Sequence, residues 1–131
     1  MSTVIVNQTI TADGYAAGIH QTEERPFGED GGDGWGNRLH GWMFDQGDEN
    51  RAEVEQMAEA AGDGEISIQG GANTINQYLA AGLVDELRLH IVPFTLGAGA
   101  RLFDGVPALD LERVSARVAS TVIHVTYRVL P

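Results

Sequence analysis

Between Asp85 and Val92 (DELRLHIV), apolar and polar residues alternate, which places Leu87, Leu89 and Ile91 on one face of a strand that Pro93 ends. The same period of two runs through Leu109 to Ala119 and Thr121 to Val129, the second with Ile123, Val125, Tyr127 and Val129 on one side. Joined by a tight turn near Ser120, these two predict an antiparallel hairpin. Thr3 to Ile10 (TVIVNQTI) is β-branched and predicts an N-terminal strand, and Glu65 to Gln69 (EISIQ), flanked by glycines, predicts a short one. A helical period appears from Ala72 to Ala81, where Ile75 and Leu79 lie at i, i+4 with Tyr78 alongside. Gly82 supplies the left-handed position after that helix, so Leu83 can fold back on the last turn. Asn37 to Phe44 (NRLHGWMF) predicts a short helix with Leu39, Trp42 and Met43 inward. Asp48 or Asn50 caps a second helix through about Ala61, ended by Gly62. Thr11 to Gly36 reads as a loop, and its Gly28 to Gly36 part (GEDGGDGWG) as a mobile surface segment.

Strand–helix–strand–helix–strand followed by a hairpin predicts an α/β fold, a mainly parallel sheet with an antiparallel edge. Right-handed crossovers put the helices on its two faces, giving three layers. At 131 residues the chain is expected to form a single domain, 1–131, and no internal repeat is visible. No apolar run has the length of a membrane span and no signal peptide is evident, so the cytoplasm is the expected compartment, without a membrane partner. The absence of cysteine excludes disulfides, thiolate catalysis and cysteine-ligated zinc. A net charge of −11 argues against a nucleic-acid partner, because a phosphate backbone is repelled. All eight cations are arginine, which removes lysine Schiff-base chemistry and a Walker-type phosphate lysine.

Candidate chemistry centres on Gly70-Gly71 between a strand and a helix. Without Cβ atoms the backbone can approach a ligand, and the helix start, with Ala72, Asn73 and Thr74, offers N–H groups to a phosphate. The competing reading is a tight turn that needs positive φ and holds no ligand. Asp13-Gly14 either presents a carboxylate at the end of the first strand or is a plain Asp-Gly turn. Gly97-Ala98-Gly99 is a flexible loop, or a pocket wall if a ligand sits at the topological switch point. Glu29, Asp30 and Asp33 lack the alternating ligand pattern of a calcium loop, and the four histidines (His20, His40, His90, His124) show no metal-binding spacing, so no metal site is expected. His90 and His124 fall in strands, where a histidine satisfied by its neighbours is the usual case. Trp35 and Trp42 are expected in core or lid packing.

Four blocks resemble the dihydrofolate-reductase-like superfamily, in the branch similar to the C-terminal reductase domain of the riboflavin-biosynthesis deaminase-reductase. They are Thr11 to Gly18 (TADGYAAG), Gly70-Gly71-Ala72, Ala81 to Leu87 (AGLVDEL) and Leu96 to Phe103 (LGAGARLF). The resemblance implies an NADPH-dependent oxidoreductase acting on a pteridine-like or ribosylaminopyrimidine-like small molecule, often as a homodimer. It assigns the NADPH pyrophosphate to Gly70, Gly71, Ala72, Asn73 and Thr74. It places Gly14, Ala17 and Gly18 near the nicotinamide, and has Asp13, Gly97, Gly99 and Phe103 wall the substrate pocket. Asp13 is the best candidate proton donor.

The chain departs from that family in its middle. Relatives carry a further strand–helix–strand segment with a Gly-Arg motif for the adenosine half of the cofactor, whereas here the flanking segments are joined near Ala58 and no Gly-Arg dipeptide occurs. The resemblance therefore implies a dihydrofolate-reductase-like sheet lacking one wing, its five strands in the order 2-1-3-5-4 and the Ile66 strand at an exposed edge. The competing functional readings are an inactive deletion variant, or a small-molecule-binding homodimer that holds no dinucleotide.

Overall fold

A computed structural model of the chain describes residues 3–29, 37–44, 47–59, 65–68 and 71–131. In chain order the elements are β1 (Thr3–Thr11), β2 (Tyr15–Ala17), α1 (Asn37–Phe44), α2 (Arg51–Glu59), β3 (Glu65–Ile68), α3 (Ala72–Ala80), β4 (Glu86–Val92), β5 (Ala100–Arg101), β6 (Leu111–Val118) and β7 (Ile123–Val129). Five of them form one sheet in the order β3-β1-β4-β7-β6, which is the predicted order. Strand β1 pairs in parallel with β3 and β4, and the β6–β7 hairpin continues the sheet antiparallel beyond β4. Strand β3 is an edge, and its Ile66 is 48% exposed.

The two faces of the sheet follow from the alternation along its strands. On one face Val6, Ile10, Leu87 and Leu89 pack against Ala72, Ile75 and Leu79 of α3. On the other, Leu39 and Trp42 of α1 pack with Val92 and Val122, and with Val54 and Met57 of α2. These are the expected three layers, a dihydrofolate-reductase-like arrangement. Among the described residues no helix is long and apolar enough to cross a membrane. Helix α3 ends as Gly82 predicts: at φ +72°, Gly82 donates its N–H to Leu79 O (3.1 Å) and Leu83 donates to Tyr78 O (3.1 Å). Leu83 stays 53% exposed, so its fold-back covers little of the side chain.

One expectation is revised. Thr11 to Gly36 is not wholly loop, because Tyr15–Ala17 forms β2 and pairs antiparallel with β5 (Tyr15 with Arg101, Ala17 with Ala100). Strands this short carry no detectable period, and only the tertiary pairing defines them. Helix α2 is described to Glu59, so its proposed end at Ala61 and Gly62 lies outside the described residues, as do Gly70, Trp35 and most of the glycine–acid segment.

Behind β5, Asn76 of α3 clasps the following turn: its Nδ2 donates to Arg101 O (3.0 Å) and its Oδ1 accepts the Phe103 N–H (2.7 Å). Phe103 there has φ +74°, a left-handed conformation that a bulky residue holds only when its surroundings impose it. Replacing Asn76 with alanine strands that N–H and carbonyl. Asn76→Ala is expected to lose about 1–3 kcal/mol of stability in urea denaturation with an unchanged m-value.

Candidate functional site

Strand β3 is described to Ile68 while β1 runs on to Thr11, so among the described residues β1 beyond Val6 has no partner strand on that side. A cavity of about 360 Å³ opens there. Its floor is Asn7, Gln8 and Thr9 of β1 with Ala16 and Ala17 of β2. One wall is Gly71 and Ala72 at the start of α3; the other is Gln21, Pro26 and Phe27 of the long loop, His40 and Met43 of α1, and Met57 of α2. Apolar walls with a few polar groups on the floor suit a flat heteroaromatic ring.

The start of α3 opens onto this cavity. Its first intrahelical bond is Ile75 N–H to Gly71 O (3.2 Å), and no side chain caps it, so the N–H groups of Ala72, Asn73 and Thr74 precede the helical ladder. Gly71 has φ −70° and ψ 152°, and a Cβ added to it meets nothing within 4 Å. Backbone conformation therefore does not require glycine at that position; the open space beside it does the distinguishing.

The other predicted glycines serve different ends. A Cβ on Gly18 would stand 1.8 Å from Glu29 O, and one on Gly99 would stand 2.1 Å from Ala17 O. These glycines let backbones cross in contact, Gly18 against Glu29 of the long loop and Gly99 against the end of β2. Gly14 accepts the Leu102 N–H through its carbonyl (2.9 Å). Asp13 belongs to the same lock. It accepts a hydrogen bond from Thr11 Oγ1 and takes the N–H groups of Leu96 (3.2 Å) and Gly97 (2.8 Å). Partial burial pushes the Asp13 carboxyl up, but the bonds from Thr11, Gly97 and Leu96 outweigh it and hold the group below its ordinary range. Phe103 packs against the α3-side core. The structure thus gathers Ala17, Gly71 and Ala72 in the cavity lining, with Asn73 and Thr74 exposed in the adjoining helical turn. Asp13, Gly14, Gly18, Gly97, Gly99 and Phe103 lie outside the lining, and Gly70 lies outside the described residues.

What pattern reading missed is the floor and what stands behind it. Asn7, Gln8 and Thr9 are buried polar residues in a central strand, a signal hidden by their β-branched neighbours. Behind Asn7 lie two buried histidines brought opposite each other by the β4–β7 register. Asn7 Oδ1 is 3.1 Å from His90 Nε2, and His90 Nδ1 is 2.7 Å from His124 Nδ1. His124 Nε2 is 2.8 Å from Asn50 Oδ1, and Trp42 stacks on His90 with ring centroids 4.6 Å apart. Glu53, paired with Arg117 (2.6 and 2.9 Å), borders the far end. Burial, with some repulsion from His124, pushes His90 down to about 3. Burial likewise lowers His124, against the pull of Glu53. Among the described residues no cluster of three or more His, Asp and Glu side chains is placed to hold a metal.

A family model described as the RibD C-terminal domain matches residues 48–125. The uncharacterized protein YyaP of Bacillus subtilis (strain 168) is 40% identical over 65 residues, 48% of this chain and 35% of that protein, so the chain spans about a third of this curated relative. In three dimensions the chain is similar to the riboflavin biosynthesis reductase Rib7 of Saccharomyces cerevisiae (TM-score 0.57, 14% identity, 99% of this chain and 89% of that one). It is also similar to a Thermotoga maritima diaminohydroxyphosphoribosylaminopyrimidine deaminase/5-amino-6-(5-phosphoribosylamino)uracil reductase (TM-score 0.59, 11% identity, 98% and 57%). At these identities the two solved structures establish the fold.

Two predictions follow from the geometry. Gly71→Ala is expected to leave stability within about 1 kcal/mol of the parent, because small opposing changes in unfolded-chain entropy and helix capping nearly cancel. Gly99→Ala, at φ +141° and in collision with Ala17 O, is expected to cost several times as much, on the order of 3 kcal/mol; thermal denaturation distinguishes them. For His90, the unfolded chain restores the ordinary value of 6.5, so it binds more protons than the folded chain between that value and about 3. The contribution of His90 is then complete above about pH 6.5 and falls on acidification by about 1.4 kcal/mol per pH unit; His124, lowered as well, acts in the same direction. Urea midpoints between about pH 7.5 and 5 check this, and His90→Asn should flatten the decline.

Proposed function

This chain belongs to the RibD C-terminal domain family, and we propose that it is a reductase using NADPH to reduce a pteridine-like or ribosylaminopyrimidine-like ring held in the cavity. The observation that carries this reading is Gly71: its backbone is ordinary, its missing side chain leaves open space, and that space adjoins both the cavity and an uncapped helix start. A pyrophosphate fits that combination, since the N–H groups of Ala72, Asn73 and Thr74 and the positive end of α3 favour an anion. The bound dihydronicotinamide supplies the hydride. Ala16 and Ala17 keep the floor low enough for stacked rings, while Phe27, Met43 and Met57 exclude water from the reacting face. Asp13 is ionised and engaged with backbone N–H groups, so its part is to fix the β2 turn. His40, the titratable side chain among the described lining residues, takes the place of proton donor. A second copy pairing along the β3 edge would form the expected homodimer and cover Ile66.

A second reading has its own support. Helix α2 is followed by the edge strand β3 with only residues 60–64 between them, and no arginine is among the described lining residues. Nothing comparable to a charged cradle for the adenosine half is described, which favours a module that binds the ring and no dinucleotide. Isothermal titration with NADPH separates the two. The reductase reading expects binding at micromolar strength, weakened at least about tenfold by Gly71→Ala, because the added methyl occupies the anion's approach. A folded protein that ignores NADPH yet is stabilised by a pteridine would establish the second reading instead.

A further inference from the structure

Of the three β1 residues on the cavity floor, two are already bonded within the protein. Asn7 Oδ1 is 3.1 Å from His90 Nε2, and Thr9 Oγ1 accepts from Trp42 Nε1 (3.2 Å). Gln8 between them is held far more loosely. Its Nε2 donates to Thr9 O at 3.4 Å, longer than the roughly 2.9–3.0 Å of a well-formed bond. That contact still fixes the amide's orientation, because only its NH2 end is a donor. The other end, Oε1, has no hydrogen-bond partner among the described residues. Nor is it one of the unpartnered atoms sealed from solvent, which are Asn7 Nδ2, Ser67 Oγ, Glu86 Oε2 and Arg88 Nε. Gln8 is 7% exposed and lines the cavity, so Oε1 meets that opening.

The surroundings of Gln8 otherwise call for an apolar side chain. Val6 and Ile10, two residues to either side, share its face of β1 and belong to the α3-side core. Leu89 lies opposite it on β4, and Ala16 and Ala72 of the same core line the cavity with it. A leucine at this position would continue that core. The amide instead brings in a carbonyl oxygen that the protein leaves unbonded, at a cost in stability. Local rules of this kind are broken chiefly where function requires it. A ligand in the cavity is the partner within reach of that oxygen.

We infer, on the reading of the cavity as a ring-binding site, that Gln8 is a specificity-determining residue whose Oε1 accepts an N–H from an amide edge of the bound ring. The stretched Nε2 bond is easily exchanged for one to the neighbouring carbonyl of that edge. The glutamine then meets the paired N–H and C=O of the ligand with an acceptor and a donor in one plane. Two ligands carry such an edge: the lactam of a pyrimidine or pteridine, and the carboxamide of a nicotinamide. A ring with no N–H there leaves Oε1 unpaired and is bound more weakly.

Gln8→Leu tests this in two ways. Without ligand, its urea midpoint is expected at or above the parent's, since leucine adds to the core and strands no partner. A lowered midpoint makes Gln8 a structural residue and overturns the inference. Isothermal titration then uses two pairs of probes. Lumazine is compared with its dimethyl derivative, in which both lactam N–H groups are methylated. NADPH is compared with its acetylpyridine analogue, whose ketone has no N–H. If the lactam is the partner, the parent binds lumazine at least about tenfold more tightly than the dimethyl form, and Gln8→Leu abolishes the difference. If the carboxamide is the partner, the same discrimination and the same loss appear in the NADPH pair instead. A folded variant that keeps the parent's discrimination, or a parent that binds but discriminates in neither pair, overturns the inference and leaves the cavity reading intact. A parent that binds none of the four molecules removes the cavity reading itself, and the role of Gln8 with it.

Discussion

Strand β1 is buried from Ile5 through Thr11, and Asn7, Gln8, Thr9 and Thr11 of that stretch are polar. A parallel strand covered on both faces ordinarily reads as a nearly continuous apolar run. Each buried hydrogen-bonding group left unpaired costs about 1–3 kcal/mol, so the elements around β1 are placed by the need to bond these side chains. Trp42 Nε1 donates to Thr9 Oγ1 (3.2 Å), which sets the depth of α1. Thr11 Oγ1 donates to Asp13 and accepts the Tyr15 N–H (3.0 Å), which bends the chain into β2. Asn7 reaches His90 on β4, and through it His124 on β7. The same strand that organises the sheet therefore also supplies the polar floor of the cavity.

Much of the fold was legible because the regular elements announce themselves locally. The alternation in DELRLHIV and in the two C-terminal runs is the period of half-buried strands, and Ile75 and Leu79 mark the inner face of α3. Strand order followed from the chain rules for crossovers and hairpins and from the family resemblance. Register did not follow, because no local pattern encodes it. Among the described residues the cavity opens where the β1–β3 pairing, which runs from Thr3 and Glu65 as far as Val6 and Ile68, gives way. His90 meets His124 because the β4–β7 register sets those two residues opposite each other. Both facts belong to the assembled sheet, so the cavity floor and the histidine pair could not be read from the chain.

The glycines show the same limit from the other side. In the sequence Gly18, Gly71 and Gly99 look alike, residues that open a pocket beside a bend. In three dimensions two of them are filled by neighbouring backbone and one faces open space. A missing Cβ is informative about a ligand only where nothing of the protein has taken its place. By that criterion Gly18 and Gly99 are accounted for by the protein itself; Gly14 and Gly97 also face open space, but their positive φ already calls for glycine, which leaves Gly71 as the glycine whose open space needs another reason. The Asp13–Gly18 and Gly97–Gly99 segments still matter to the site, since they hold Ala16 and Ala17 at the floor.

Helix α2 raises the last question, because its Met57 lines the cavity although the helix belongs to no strand pair of its own. Its attachments are mostly to the hairpin. Glu49 accepts from Ser120 N (2.7 Å) and Oγ (2.6 Å), and Glu53 takes Arg117 in two bonds. Contacts of this kind at a partly exposed surface are individually weak and weaken further in salt. They gain strength here by continuity. Asn50 at the helix start joins Arg117 to His124, so the surface pairs and the buried histidine pair share one acceptor oxygen. Such a shared network is worth more than its separate pairs only if every member stays bonded. Helix α2, which carries Met57 to the cavity, and the histidine pair behind the floor are thus held by the same few hydrogen bonds, which meet at Asn50.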